Sequence, residues 1–368
     1  MADYTTIDDP SAHFQIATWT GNQTDRDITN DGNSDLKPDF IILKTRSVAG
    51  SHMWQNSTRG VTKYLRSHLS GGEGTASSIL TSFNTDGFGL SQYGGNNQNG
   101  ETNVAWQWKA NGGTTSSNTN GDITATVQAN TDAGFSIGSY TGNGSDNQTI
   151  GHGLGATPDF VLIKRTSGTA NWASWHKYNT HNHVLRLNIT NTESDSASGR
   201  LSASGDRGSS TIFTVFQGSS AYGNVNENNE TYLFWAWKEI QGYSKFGFYK
   251  GNSSDDGSFV YLGFAPAWLL IKRLNGASNW NLYDNRRESS GGGFSNRQDA
   301  SRRLFPNNNE LESANTVADE MEFTANGFKL RGTQGSQNSS SGDYTYIAFA
   351  ENPFVTSTDT NSIPTTAR

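Results

Sequence analysis

The sequence runs through one pattern three times, and any fold for this chain has to place three copies of the same strand set. The first copy opens with Phe14-Gln15-Ile16-Ala17-Thr18-Trp19-Thr20-Gly21-Asn22 and the second with Phe135-Ser136-Ile137-Gly138-Ser139-Tyr140-Thr141-Gly142-Asn143. The third opens with Phe246-Gly247-Phe248-Tyr249-Lys250-Gly251-Asn252, Phe246 standing in register with Ile16 and Ile137. Alternation that ends on Gly-Asn predicts a strand and a tight turn. Next come Pro38-Asp39-Phe40-Ile41-Ile42-Leu43-Lys44, Pro158-Asp159-Phe160-Val161-Leu162-Ile163-Lys164 and Pro266-Ala267-Trp268-Leu269-Leu270-Ile271-Lys272. Consecutive apolar residues behind a Pro predict a strand buried on both faces, with the Pro tolerated at its first position. A Trp follows eight to ten residues later (Trp54, Trp172, Trp280). The copies close on Val104–Lys109, Leu233–Lys238 and Tyr346–Glu351, each an apolar and aromatic strand. A penultimate element, Asp86-Gly87-Phe88-Gly89-Leu90, recurs as Asn326-Gly327-Phe328-Lys329-Leu330 and more loosely as Ile212–Phe216.

Units of about 105 to 120 residues built from short strands and Gly/Asn/Ser turns predict an all-β protein: three tandem β-sandwich repeats of jelly-roll or lectin-like type. The expected division is 1–110 for the first repeat, 122–240 for the second and 241–356 for the third, with a C-terminal tail at 357–368. Between the first two, 111–121 is Gly/Ser/Thr/Asn-rich and reads as a flexible or extended linker, followed by an extra strand at Ile123–Val127. Helix is expected at most as a turn or two over Val61–Leu69. Ten Trp, 13 Tyr and 19 Phe suffice for compact cores, although hydrophobic residues are only 32% of the chain.

The same composition removes whole classes of chemistry. With no Cys, disulfide frameworks, thiolate zinc sites and cysteine nucleophiles are excluded. A net charge of −7 argues against a nucleic-acid partner, and apolar runs stay well short of the roughly 20 residues of a membrane span. Met1-Ala2-Asp3-Tyr4 has neither a basic n-region nor an apolar h-region, so no secretory signal is expected. The sequence has no G-x-S-x-G, no phosphate-binding G-x-x-x-x-G-K-[ST] and no H-E-x-x-H. Gly151-His152-Gly153-Leu154-Gly155 precedes a strand and reads as a turn. A glycosidase needs two carboxylates facing across a sugar. The tight acidic groups, Glu227 with Glu230, Glu310 with Glu312, and Asp319, Glu320 and Glu322, lie in polar surroundings and read as solvated loops, so no enzyme is expected. His176, His181 and His183 lack a carboxylate in a ligand pattern, so no metal centre and no cofactor is expected. Calcium is the one ion with a place to go: the oxygen-rich segment Asp25–Asp35 suits it, against the plainer reading of an Asx-rich hairpin loop.

Aromatic residues carry the binding potential. One Trp per copy serves as a core plug, but the parity of Trp172-Ala173-Ser174-Trp175 puts the two indoles on opposite faces. With Trp172 inward, Trp175 faces solvent beside His176, Tyr178, Asn179 and His181, an arrangement suited to stacking on a sugar ring. The alternative is that Trp175 packs against another copy or a neighbouring subunit.

Several segments together resemble a domain family of unknown function found in tandem β-rich proteins of marine tailed phages, cyanophages especially. They are Asp3–Ser11, Tyr140–Gly144, Gly151–Gly155, Gln241–Phe246, Asn326–Arg331 and Ala348–Phe354 with the ending Ala367-Arg368. The resemblance implies a non-enzymatic virion surface protein of the tail-fibre or receptor-binding type, made in the host cytoplasm and partnered by other virion proteins and host-surface glycan. A purely structural capsid decoration or head fibre is the alternative it leaves open, and a glycan depolymerase the remote one. By analogy with symmetric phage assemblies a homo-oligomer, first of all a trimer, is expected.

Overall fold

The computed structural model describes residues 5–92, 94–180, 183–195, 208–217, 224–287, 302–313 and 321–353. They are almost wholly β-strand and turn. Three large antiparallel sheets share one strand order. An opening strand (Phe14–Thr20, Phe135–Thr141, Ser244–Lys250) pairs with the closing strand of its segment (Thr102–Trp108, Thr231–Trp237, Asp343–Pro353). The closing strand then pairs with the Pro-led strand (Phe40–Thr45, Phe160–Arg165, Phe264–Arg273), which pairs with a short strand (Met53–Asn56, Ala173–His176, Asn281–Asp284). The Pro-led strands therefore sit inside their sheets, as double-sided apolarity demands. Three small sheets lie apart: Arg26–Ile28 with Phe88–Leu90 and Leu80–Phe83, Gln148–Gly151 with Ile212–Val215, and Phe259–Tyr261 with Gly327–Leu330 and Met321–Thr324.

Strand alternation sorts each large sheet into two faces. One face of all three feeds a single cluster: Phe40, Ile42, Trp106 and Trp108, Phe160, Leu162, Trp235 and Trp237, and Trp268, Leu270, Ile347 and Phe349. The opposite faces build three separate clusters with the small sheets, for example Ile41, Leu43 and Phe88; Val161, Ile163 and Phe213; and Leu269, Ile271 and Phe328. Rings cross between segments in the shared cluster, with Trp54 against Trp172 at 4.9 Å, Trp108 against Trp268 at 5.7 Å and Phe40 against Trp235 at 5.6 Å. Trp54, Trp108, Trp235, Trp237 and Trp268 have indole N–H groups without a hydrogen-bond partner among the described residues. Edge-to-face packing (Trp54 on Trp235 at 83°, Trp108 on Trp268 at 89°) gives indole edges aromatic faces to meet and offsets part of that cost. Side chains of all three segments enclose an apolar cavity of about 40 Å³ between Phe40, Phe160 and Trp268.

Backbone hydrogen bonds join the segments in a cycle. Gly50 N–H donates to the Asn309 carbonyl, Ala170 N–H to Ser70 and Ser278 N–H to Thr190, so third meets first, first meets second and second meets third. The Gly-Asn turns obey one rule. A Cβ on Gly21, Gly142 or Gly251 would collide with the backbone of 98, 227 or 339, and only glycine allows that approach. A buried Asn (Asn97, Asn226, Asn338) lies behind each turn and accepts the N–H of Asn22, Asn143 or Asn252 on its side-chain oxygen.

One local expectation changes, and a second narrows to one of its two readings. Val61–Leu69 holds no helix: Lys63–Arg66 is a strand paired with Met53–Asn56, because alternation sends Leu65 into the shared core. The 111–121 stretch is extended and tethered. Ser116–Asn118 pairs with Ala125–Asn130, Asp39 accepts Ala110 N–H and Gly112 N–H, and the Gln128 side chain accepts Asn111 N–H and Gly113 N–H.

Candidate functional site

Trp175 does lie on the opposite face from Trp172, but that face is covered. Trp172 is in the shared core, whereas Trp175, 8% exposed, packs with Val161, Phe213 and Val215 beneath the second small sheet. The expectation of a solvent-facing indole is therefore corrected: parity assigns a face and says nothing of what covers it. His176 is buried, its Nε2 3.1 Å from the Tyr346 carbonyl oxygen, and Asn179 is buried with its amide donating to the His183 carbonyl. Tyr178 alone is at the surface, 49% exposed beside Phe248. His181 lies outside the described residues. The four that are described, Trp175, His176, Tyr178 and Asn179, form no common platform. The register also separates the three Trp: Trp54 pairs with Ile42, while the positions paired with Leu162 and Leu270 are Ser174 and Leu282. Trp172 and Trp280 stand two residues before those, so their counterpart is His52, and a shift of two kept Trp54 on the same face.

Glu227, Glu230, Glu312 and Glu322, among the carboxylates that could serve as acids or bases, are engaged by cations. Glu227 and Glu230 both hold Arg165. Glu312 is buried among Arg46, Arg287 and Arg302 at 2.8–3.1 Å, and Arg287 also meets Asp284 at 2.5 Å. Burial works against the Glu312 carboxylate, yet Arg287 and Arg46 hold it below the usual range. Trp106 Nε1 donates to Asp284, so this network ties the first segment to the third. Asp319 and Glu320 lie outside the described residues. In the calcium candidate, Asp25 accepts the Gln92 N–H and Asp31 pairs with Arg286, so these oxygens turn to different partners. Among the described residues no group of three or more His, Asp or Glu is placed to hold a metal ion.

One group recurs in all three segments. Lys44, Lys164 and Lys272, the last residues of the apolar runs, are buried. Lys164 Nζ donates to the carbonyls of Ser70 and Ala170, and Lys272 Nζ to those of Thr190 and Ser278, bridging to the preceding segment each time. Lys44 Nζ donates to the Thr45 carbonyl. Desolvation pushes the ammonium groups down, to about 8 for Lys44 and about 7 for Lys164 and Lys272.

The surface offers a different feature, on the third small sheet. Phe259 and Tyr261 point outward from one edge strand, 47% and 51% exposed, while Val260 between them is buried. Across the sheet Phe259 faces Lys329, which faces Glu322, and Tyr261 faces Gly327, which faces Thr324. Asp256 meets Lys329 at 2.5 Å and Arg331 at 3.0 Å, and Arg331 meets Glu322 at 2.6 Å. The sequence carried this signal in the alternation of Ser258-Phe259-Val260-Tyr261, which the search for repeated Trp residues passed over.

An all-β chain with three like-ordered sheets, one shared core and a paired-charge surface is the class defined here. The chain belongs to a family described as a domain of unknown function, DUF7483, matched over residues 9–353. No curated protein and no solved structure matches it.

Proposed function

We propose that the chain is a non-enzymatic virion surface protein of the tail-fibre or receptor-binding type, built as three tandem β-sandwich repeats closed on one core. The observation that carries the reading is the use made of charge and of apolar surface. Inner faces go into a common core, outer faces into separate covered clusters, and the acidic pairs that could do hydrolytic work clamp arginines. On this reading the chain is a rigid presenter of surface, with no reaction centre among the described residues. The like strand order supports the division into 1–110, 122–240 and 241–356, joined by the tethered 111–121 stretch. The proposal includes docking on other virion proteins, a homotrimer as the assembly, and contact with the host surface.

Immunogold imaging of particles with an antibody to this chain tests it. Label on tail or fibre tips supports the receptor-binding reading, label on the head converts it to a decoration protein, and unlabelled intact particles overturn it. Release of reducing sugar from host polysaccharide by the purified chain would overturn the non-enzymatic part.

A further inference from the structure

Two of the three seams between segments are built alike, and the one that closes the ring departs from them. Ala170 N–H reaches the first segment and Ser278 N–H the second, and two residues further on the Trp172 and Trp280 indoles donate across the same seams, to the Leu69 and Arg186 carbonyls at 3.0 Å. At the closing seam Gly50 N–H makes the matching bond to Asn309, but the residue two positions on is His52. Lys164 and Lys272 add a second bridge to the preceding segment, whereas Lys44 Nζ turns to Thr45 of its own strand. No stretch of chain leads directly from the third segment to the first, so this seam is held by non-covalent contacts alone.

His52 is fully buried on this seam, its ring stacked on Trp106 at 12° and 6.2 Å. Neither of its nitrogens has a hydrogen-bond partner among the described residues. The ionisable groups around it are Lys44, Arg46, Arg66 and His68 of the first segment and Asp284, Arg287, Arg302 and Glu312 of the third. Lys44, Arg46, Arg287 and Arg302 already outnumber the carboxylates of Asp284 and Glu312, so a proton on His52 adds a cation where cations are in excess. Burial, then Lys44, His68 and Arg287, hold the imidazole neutral and well below its usual range, and contact with the Asn308 backbone does not offset them. An opened seam wets the ring and lets it titrate near 6.5, so opening takes up a proton and becomes easier as pH falls below about that value. Lys44, near 8, is already charged there, and the arginines keep Glu312 charged against its burial down to about pH 5. His176 lies at the seam of second and third segments, but its Nε2 meets the Tyr346 carbonyl and its Nδ1 accepts the Tyr178 N–H.

We propose that the ring opens at the seam between the first and third segments when His52 takes up a proton, uncovering the shared core while the other two seams stay closed. The amides of Gly50, Ala170 and Ser278 are matched reporters, one on each seam. Hydrogen exchange of the purified full-length chain, resolved amide by amide between pH 7 and 5, reads them, each rate being taken relative to an unstructured chain at the same pH. Gly50 protection is expected to fall about fifteenfold from pH 6.5 to 5, the span that one histidine titrating at 6.5 supplies, while Ala170 and Ser278 keep theirs. His52→Gln should flatten the Gly50 profile, and His52→Trp, which installs the residue of the other two seams, should do the same. His68→Gln should leave the fall in place. A Gly50 protection that does not change over this range overturns the proposal, and so does a fall shared equally by all three amides. A fall that persists unchanged in whichever His52 variant folds overturns it as well. Loss of the pH dependence in His68→Gln alone assigns the titration to that residue and also overturns it. Exchange is read on the chain by itself, so its outcome is independent of the particle imaging.

Discussion

Replacing Lys272 by Met should change how stability depends on pH, by removing a rise of stability with pH that this buried amine supplies. Lys272 titrates near 7 in the folded chain because burial penalises its ammonium, against about 10.5 unfolded. Between those values the unfolded chain holds a proton that the folded chain has lost, so unfolding takes up a proton and stability rises with pH. At 1.36 kcal/mol per pH unit, the gain between pH 7 and 9.5 is about 3 kcal/mol for Lys272. Lys164 has the same folded value and adds a like amount, and Lys44, near 8, somewhat less. The window closes above about pH 10, where the raised hydroxyls of Tyr243, Tyr249 and Tyr346 make alkaline conditions favour the unfolded chain. Urea unfolding followed by Trp fluorescence at pH 7, 8, 9 and 9.5 reads the slope. The wild type should become more stable across this range. Lys272→Met should fall further behind it at each step, by about 3 kcal/mol over the whole range. A wild-type stability that is flat or falling from pH 7 to 9.5, or a Lys272→Met curve parallel to the wild type, would refute the assignment of a neutral amine to this core.

Three further outcomes follow from the packing. Gly142→Ala should cost more than about 3 kcal/mol and lower the melting temperature, because its methyl has to displace the Glu227 carbonyl. Arg287→Met removes the fully buried partner of Asp284 and Glu312 and should destabilise by about 3–5 kcal/mol, with the loss shrinking in acid as the Glu312 carboxylate protonates. Trp175→Ala should also cost about 3–5 kcal/mol in urea unfolding while leaving any sugar titration unchanged, the reverse of what an exposed platform would give.

How much of this was legible beforehand depended on whether the constraint lay along one strand or between strands. The six-residue spacing from Pro to Lys was enough to put Phe40–Leu43, Phe160–Ile163 and Trp268–Ile271 inside sheets, since only an interior strand buries both faces. Their double apolarity could not say that three of the six faces meet in one place, which depends on contacts more than a hundred residues apart. The Gly of each Thr-Gly-Asn or Lys-Gly-Asn turn was visible, but its partner Asn was not. The signal was there: Asn97, Asn226 and Asn338 each lie five residues before the closing strand begins at Thr102, Thr231 or Asp343. Trp54 was grouped with Trp172 and Trp280 because a two-residue offset preserves the face. Trp175 misled because an amphipathic reading takes an outward face to be wet, and here a second sheet covers it.

The cyclic order of the three segments bears on how the chain emerges from the ribosome. Arg46 and Glu312, which close the ring, are 266 positions apart, and the Phe14–Phe349 ring contact spans still more. While residues 241–353 are being translated, the inner faces of the first two sheets have formed without their third wall, leaving Phe14, Trp106 and Trp108 without a lid. At 5–20 residues per second that interval lasts roughly 6 to 20 s. Nascent chains of this protein therefore carry an open apolar wall until the third segment has been made, and that segment is the one that covers the earlier two.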